Sequence, residues 1–182
     1  TLMCVKCINS NGNGGAEVIS AGMEWAVEHG CDVFSMSLGV ANSTIPERTL
    51  LRRTCETSLD AGIAGAIAAG NEGGSQWQYP IPNNVRVPGS CPPPYMDAVQ
   101  GENSGKMSCS ICIGAVDGND NAAYFTSRGP VTWTNTEFGD YPYQPGIGLI
   151  RPDVCAPGVD IKSLDYQGNN GYTTMSGTSM AT

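Results

Sequence analysis

Basic residues are scarce in this sequence, and charge of either sign is low. Nine Lys and Arg stand against 17 Asp and Glu, only 14% of the 182 residues are charged, and the formal net charge is -8. Because nucleic-acid binding requires a basic surface, this balance argues against nucleic acid as a partner. The sequence also lacks a run of about 18 apolar residues, so we expect no membrane-spanning helix and no membrane partner.

The eight cysteines include two C-x-x-C pairs, Cys4 with Cys7 and Cys109 with Cys112. Such pairs are typical either of a zinc site or, as a second interpretation, of small apolar residues in a core. Both lie in apolar, strand-like runs, where residues three apart point to opposite faces and do not easily share a metal. We therefore predict no metal site. A metal or redox module remains an alternative, and a disulfide between Cys91 and Cys109 across a long loop stays open.

The order of the predicted elements indicates an α/β fold. With 40% hydrophobic residues, 24 Gly and 12 Pro, the sequence predicts one domain over residues 1–182 with many loops. Hydrophobic periodicity and Gly/Pro signals predict alternating strands and helices, which favours a mostly parallel sheet with right-handed crossovers. The predicted strands are 2–8, 31–38, 63–69 and 110–117, with a shorter one near 124–125 and a final strand region over 151–158 and 159–163. Residues 172–174 are predicted to be extended, and the predicted helices are 16–29 and 47–60.

Three segments with polar or small residues lie where strands are predicted to end. They are Ser37-Leu38-Gly39, Ala68-Ala69-Gly70-Asn71 and the segment that leads to Ser179. Ligands of open parallel sheets bind outside the carboxyl ends of the strands. An Asn amide at one strand end beside a Ser at a helix start is the geometry of a composite oxyanion hole. Taken alone, the Gly-Thr-Ser segment favours a plain helix N-cap for Ser179.

Five segments, in this order and at these spacings, resemble the subtilisin-like serine proteases, and they extend over almost the whole chain. They are Met36–Gly39, Ala68–Asn71, Tyr124–Pro130, Pro152–Gly158 and Gly177–Ala181. The resemblance implies a three-layer fold, with a mostly parallel sheet and helices on both faces. It also implies peptide hydrolysis without a required cofactor, a protein or peptide substrate, and secretion from the cell.

The resemblance assigns roles residue by residue. Ser179 is implied to be the nucleophile, and the Asn71 amide together with the Ser179 backbone N–H is implied to stabilise the oxyanion. A backbone segment is implied to pair with the substrate as an added strand, and small residues to form one wall of the primary specificity pocket. The substrate-pairing segment is Ser37, Leu38 and Gly39, and the small residues of the pocket wall are Ala68, Ala69 and Gly70.

Arg86 is a candidate determinant of substrate specificity. Val85-Arg86-Val87-Pro88 resembles the segment that closes the base of that pocket in the family. A guanidinium there would favour an acidic side chain before the scissile bond. The second interpretation, which we prefer slightly, is that Arg86 points to solvent.

The sequence departs from the family pattern in the catalytic triad. The family order is Asp, His, Ser, and no segment here resembles the Asp or His motif. The only histidine, His29, ends the first predicted helix and is expected to face solvent. We therefore expect a partial catalytic domain that does not hydrolyse peptides alone. Its open sheet edge is expected to allow self-association. A non-catalytic, peptide-binding or scaffold member of the family is the alternative.

Calcium is a further implication, because the family often binds it in loops. The candidates on composition are Asp117, Asp120 and Asp140. An exposed polar turn is the interpretation that we prefer for these residues.

Overall fold

The computed structural model describes residues 1–92, 109–133, 148–168 and 170–182. The described helices are α1 (Ala16–Glu28), α2 (Ile45–Asp60), a 3₁₀ turn (Gly73–Ser75) and α3 (Thr178–Ala181). The described strands are β1 (Val33–Met36), β2 (Ala64–Ala68), β3 (Ser110–Val116), β4 (Val154–Pro157), β5 (Ile161–Leu164) and β6 (Tyr172–Met175).

Strands β1 to β4 form one parallel sheet in the order β1-β2-β3-β4. Val33 pairs with Ala64, Gly65 with Ser110, and Ile113 with Val154, so the strands run in step. All carboxyl ends therefore meet at one edge of the sheet, as the sequence predicted. The α/β fold with a mostly parallel sheet is confirmed. In the part of the chain that the structure describes, β1 is an edge strand.

Helices lie on both faces of this sheet. Helices α1 and α2 pack on each other and share a buried core with Phe34, Met36 and Ile67 of β1 and β2. Helix α3 packs against β2, β3 and β4 instead. Along β3, Ala115 points away from the side of Cys112 because side chains alternate, and it is fully buried where α3 lies. The short α3 is thereby held over the carboxyl half of the sheet.

A capping box fixes the start of α2, which follows the loop after β1. Thr44 is the N-cap, and its backbone N–H and hydroxyl both donate to Glu47 Oε2 at 2.7 Å. Pro46 lies in the first turn, where no intrahelical N–H bond is lost. The hydrogen bonds from the Thr44 backbone and side chain lower the pKa of Glu47.

Two local predictions were wrong. Residues 2–8 belong to no described strand and are mostly exposed; Val5 and Cys7 instead lie against Gly22 of α1. Tyr124 and Phe125 form a turn and not a strand. The predicted strand near 159–163 and the predicted extended segment 172–174 are confirmed as β5 and β6, although their antiparallel pairing as a hairpin was not predicted. In the described ranges, no helix is long and apolar enough to cross a membrane.

Removal of the Thr44 hydroxyl is predicted to destabilise the protein. Thr44→Ala should lower the free energy of unfolding by about 1 kcal/mol at pH 7, because the N-cap side-chain bonds are lost. Glu47 has a lowered pKa in the folded state. The contribution of Glu47 to the free energy of unfolding is therefore present above the ordinary Glu pKa of about 4.3. It is lost as the pH falls through the lowered pKa.

Urea unfolding at pH 7 measures the loss of the Thr44 cap, and the same measurement below pH 4 measures the loss of the Glu47 contribution. Thr44→Ser keeps the hydroxyl and serves as the control, which should unfold within about 0.5 kcal/mol of the original protein. Equal losses for the Ala and Ser variants would contradict the cap.

Candidate active site

Asn71 and Thr178 connect the end of β2 to the start of α3. The Thr178 backbone N–H donates to Asn71 Oδ1 at 2.9 Å, and the Thr178 hydroxyl donates to the same oxygen at 3.1 Å. The hydroxyl oxygen in turn accepts from the Gly70 N–H at 3.2 Å. Thr178 is 1% exposed, so these bonds lie away from water. We call this set of three bonds the Asn71–Thr178 clasp.

The clasp fixes which end of the Asn71 amide faces outward. A backbone N–H can only donate, so the amide oxygen must face Thr178. The Nδ2 group then points the other way, and no described residue accepts a hydrogen bond from it. Asn71 is exposed, so Nδ2 is available to a ligand. A free, oriented N–H donor is what an oxyanion hole requires.

Ser179 lies beside this amide, one residue after Thr178. The Ser37 hydroxyl donates to the Ser179 carbonyl oxygen at 2.8 Å, which ties the end of β1 to α3. The Ser179 hydroxyl makes one long contact, 3.5 Å to the Ser37 carbonyl oxygen. Ser37, Asn71 and Ser179, from three distant segments, therefore meet at the carboxyl edge of the sheet. The structure brings together the residues that the sequence assigned to nucleophile and oxyanion hole.

No described residue acts as a base toward Ser179. His29 is the C-cap of α1, where its ring stacks on Trp25 with 3.8 Å between ring centroids. Its Nδ1 lies 2.7 Å from the Trp25 carbonyl oxygen. The predicted position of His29, at an exposed helix end and apart from the nucleophile, agrees with this geometry.

Arg86 does not point freely to solvent, which was the slightly preferred interpretation. Its Nε donates to Glu72 Oε1 at 3.0 Å, Nη2 bonds the same oxygen, and Nη1 reaches the Gly39 carbonyl oxygen at 3.3 Å. The Glu72 side chain is 8% exposed and the Arg86 side chain 37%. The reason is that a buried carboxylate needs a cation and hydrogen bonds. Arg86 is therefore already neutralised by an internal partner.

Ser127 completes the environment of Glu72. Its hydroxyl donates to Glu72 Oε2 at 3.1 Å and accepts from the Glu72 N–H at 3.0 Å. Gly70 has a φ of +108°, and a Cβ there would clash with Glu72 Oε2 and lie 3.0 Å from both Arg86 Cγ and Ser127 Oγ. Glycine is thus required at this position on two grounds, conformation and space.

The remaining predicted substrate-binding residues occupy two different environments. Gly39 lies against the Arg86 segment, since a Cβ there would be 2.9 Å from Arg86 Cβ. Leu38 is half-buried beside the core of α1 and α2. Ala68 is 5% exposed and Ala69 fully buried, with its side chain in a second core cluster. The backbone of Ala69, which accepts from the Arg86 N–H at 2.9 Å, is the part of this residue that approaches the site.

The sequence reasoning assigned no role to Thr178, Glu72 or Ser127. All three lie inside or beside the segments that resemble the family, so their positions in the sequence were known. What it could not supply was the pairing across 107 residues for Thr178 and across 55 for Ser127.

The candidate calcium loop is stabilised by its own hydrogen bonds. Asp117 Oδ1 accepts from the backbone N–H groups of Asn119 and Asn121 at 2.8 and 3.0 Å, and these bonds lower the pKa of Asp117. Asp140 lies outside the described residues. Within those ranges no group of three or more His, Cys, Asp and Glu is arranged to hold a metal. Calcium binding stays a prediction.

Comparisons with known proteins match the whole chain. A family model described as "Subtilase family" matches residues 1–182. Subtilisin DY from Bacillus licheniformis is 32% identical over 181 residues, which cover 100% of this chain and 49% of that protein. Serine protease AprX from Bacillus subtilis (strain 168) is 31% identical, covering 100% of this chain and 39% of that one. The chain thus spans at most about half the length of these curated relatives.

Two solved structures share the fold. The prenylagaramide maturation protease PagA gives a TM-score of 0.62 at 19% identity, covering 95% of this chain and 47% of that one. A cold-adapted subtilisin-like serine proteinase gives 0.60 at 23% identity, covering 97% and 47%.

Thr178→Val is predicted to break the clasp without changing the volume of the side chain. It removes the hydroxyl bond to Asn71 and leaves the buried Gly70 N–H without an acceptor, which should cost about 1–3 kcal/mol of unfolding free energy. Denaturant unfolding measures the loss. Thr178→Ser keeps the hydroxyl and should retain most of that stability; if Ser and Val variants unfold alike, the hydroxyl does not form the clasp.

Proposed function

The chain belongs to the subtilase family, and on this premise we propose that the whole protein is a serine endopeptidase whose nucleophile is Ser179. The observation that carries the proposal is the Asn71–Thr178 clasp. It orients the Asn71 amide by bonds to Thr178, the residue before Ser179, at the carboxyl edge of a parallel sheet, and Nδ2 has no acceptor among the described residues.

The proposed reaction uses the described residues as follows. The Ser179 oxygen attacks the peptide carbonyl carbon, and the carbonyl oxygen becomes an oxyanion. Asn71 Nδ2 and the Ser179 backbone N–H donate to that oxyanion. The backbone of Ser37, Leu38 and Gly39 pairs with the extended substrate as an added strand, which binds peptides with little regard to sequence.

A general base must take the proton of Ser179, and no described residue is positioned for this. Since the chain spans at most about half the length of its relatives, we place the base in the remainder of the whole protein. The 182 residues alone are proposed to be inactive toward peptides. Secretion and self-association at β1 stay part of the proposal, supported by the resemblance and by the edge position of β1.

A peptide-binding protein without catalysis is the second candidate function. The observation that favours it is the lack of a base in contact with Ser179 among the described residues. Labelling of the full-length protein with an organophosphonate separates the two. An adduct on Ser179 supports the enzyme, since only an activated serine reacts, and an unlabelled Ser179 supports the binding protein.

The proposed specificity pocket is electrically neutral. Arg86 lies between Gly39 and Glu72, where the resemblance places the base of the pocket, but its charge is matched by Glu72. We therefore propose that Arg86 shapes the pocket and gives no strong preference for acidic side chains. This replaces the expectation that Arg86 selects an acidic side chain before the scissile bond.

Two substitutions at Asn71 are predicted to separate its two roles. Asn71→Asp keeps an oxygen for Thr178 but has no N–H donor, so kcat of the full-length protein should fall with little change in stability. Asn71→Leu removes both the oxygen and the N–H donor, so both kcat and stability should fall. The expected loss in kcat is about 10²–10³, a magnitude taken over from loss of the oxyanion-hole Asn in a subtilisin.

Hydrolysis of a peptide substrate and denaturant unfolding, measured on the same samples, test this. Ser179→Ala sets the background rate. Full activity of Asn71→Asp would refute the assigned oxyanion donor.

Glu72→Gln is predicted to release the Arg86 charge into the pocket. The ratio of kcat/KM for peptides with Glu against Leu before the scissile bond should rise about tenfold, a modest value because Arg86 is partly exposed to solvent. The double variant Glu72→Gln, Arg86→Met is the matched control and should lose the gain. An unchanged ratio in Glu72→Gln would mean that the substrate side chain does not reach Arg86.

A further inference from the structure

The side chain of Arg86 runs between the ends of two neighbouring strands. Gly39 lies just after β1, and Gly70 lies just after β2. A Cβ placed on Gly39 would lie 2.9 Å from Arg86 Cβ and 3.6 Å from Arg86 Cδ, and one placed on Gly70 would lie 3.0 Å from Arg86 Cγ. The aliphatic stem of one side chain therefore occupies the space between the two glycine backbones.

These two strand ends are the segments that the resemblance assigns to the substrate. Residues 37–39 are implied to pair with the peptide, and residues 68–70 are implied to form one wall of the primary specificity pocket. The stem of Arg86 touches the last residue of both segments. Arg86 thus fills part of the space between them, and its role in the pocket is not limited to the charge at its end.

Backbone hydrogen bonds fix the direction in which this side chain leaves the chain. The Arg86 N–H donates to the Ala69 carbonyl oxygen at 2.9 Å, and Val87 exchanges two bonds with Val40, at 2.8 and 3.1 Å. The residues on either side of Arg86, Val85 and Val87, are 5% and 2% exposed and belong to two core clusters. The segment is therefore attached to both strand ends, and its buried valines hold Arg86 in place.

The guanidinium fixes the other end of the side chain. Nη1 donates to the Gly39 carbonyl oxygen at 3.3 Å, and Nε donates to Glu72 Oε1 at 3.0 Å. If Arg86 swung out to make room for a substrate, the buried Glu72 carboxylate would lose its cation, which is costly. The stem is thus held between the strand ends from both of its ends.

We propose that Arg86 limits the size of the primary specificity pocket, so that the whole protein prefers a small residue, Gly, Ala or Ser, before the scissile bond. This inference rests on the proposed peptidase function and names its substrate class. Neutrality of the Arg86–Glu72 pair explains the lack of selection by charge, and the position of the stem adds selection by size.

Two costs oppose a large substrate side chain at this place. The first is space, because the Arg86 stem already lies between the two glycines. The second is desolvation, because the Arg86 side chain is 37% exposed and an apolar Leu or Phe would cover part of it without offering a hydrogen bond. An Ala side chain incurs neither cost. A difference of a few methylene-sized groups in a pocket changes kcat/KM by about 10- to 200-fold.

Hydrolysis of peptides that differ only in the residue before the scissile bond tests the proposal. The full-length protein is given peptides with Ala, Leu or Phe at that position. We expect kcat/KM for Ala to exceed that for Phe by about 10- to 100-fold, with Leu in between.

Two double variants separate the stem from the charge. Arg86→Ala with Glu72→Gln removes both the stem and the buried charge pair, and should raise the Phe to Ala ratio of kcat/KM by about 10- to 100-fold. Arg86→Met with Glu72→Gln is the matched control, because it is equally uncharged but keeps a long stem. This control should retain the preference for Ala. The ratio is compared within one sample, so a change in the fraction of folded protein does not affect it.

The outcomes distinguish this inference from the function on which it rests. Hydrolysis in which the full-length protein cleaves the Phe peptide as well as the Ala peptide, or better, overturns the size limit and leaves the peptidase function intact. Equal ratios in the two double variants overturn the role of the stem. If the variants do not fold, the ratio of the original protein still decides. No hydrolysis of any peptide, together with an unlabelled Ser179 after organophosphonate treatment, overturns both.

Discussion

The bond between the Asn71 amide and Thr178 is the interaction on which the candidate site depends. It crosses 107 residues of sequence and joins the end of β2 to the first turn of α3. Without it, nothing described would determine which end of the amide faces outward. With it, Oδ1 is committed to Thr178 and Nδ2 is left as a donor beside Ser179. A single threonine thus supplies the amide orientation that the proposed stabilisation of an oxyanion requires.

Burial explains the second feature of the site. Glu72 follows Asn71 directly and lies inside the protein, so its charge must be compensated. Arg86 and Ser127 do this, and Gly70 leaves the space for it. The carboxylate therefore holds three segments together just below Asn71. The Arg86 charge is paired with Glu72 in this structural role, so the proposed pocket is expected to be neutral despite containing an arginine.

Elements with strong local signals were predictable from sequence. Helix α1 ends at Glu28, one residue before its predicted end, and α2 begins at a threonine cap with proline in its first turn. Strands β1, β2 and β3 lie inside the predicted apolar runs. Residues 2–8 have an equally apolar pattern but pair with no described strand, because a strand requires a partner as well as a propensity. The extended segments of β5 and β6 were predicted, but their pairing with each other was not, because a local pattern does not name a strand's partner.

In the candidate site, too, residues with local signals could be predicted and long-range contacts could not. Ser179 and Asn71 could be predicted from the sequence because each lies in a short motif at a strand or helix end. The partners of Arg86 were not, because a loop residue 14 positions from Glu72 gives no periodic signal of contact. Likewise, eight cysteines in the sequence do not indicate which of them meet. Long-range side-chain pairs follow from the packed structure, and local patterns do not determine them.

The crystal structure of the full-length protein after reaction with an organophosphonate tests the central claim most directly. The account predicts phosphorus bonded to Ser179 Oγ, with the phosphonyl oxygen about 2.7–3.1 Å from both Asn71 Nδ2 and the Ser179 backbone nitrogen. Asn71 Oδ1 should still accept from Thr178. A phosphonyl oxygen that points away from Asn71, or an amide turned with Nδ2 toward Thr178, would contradict the account.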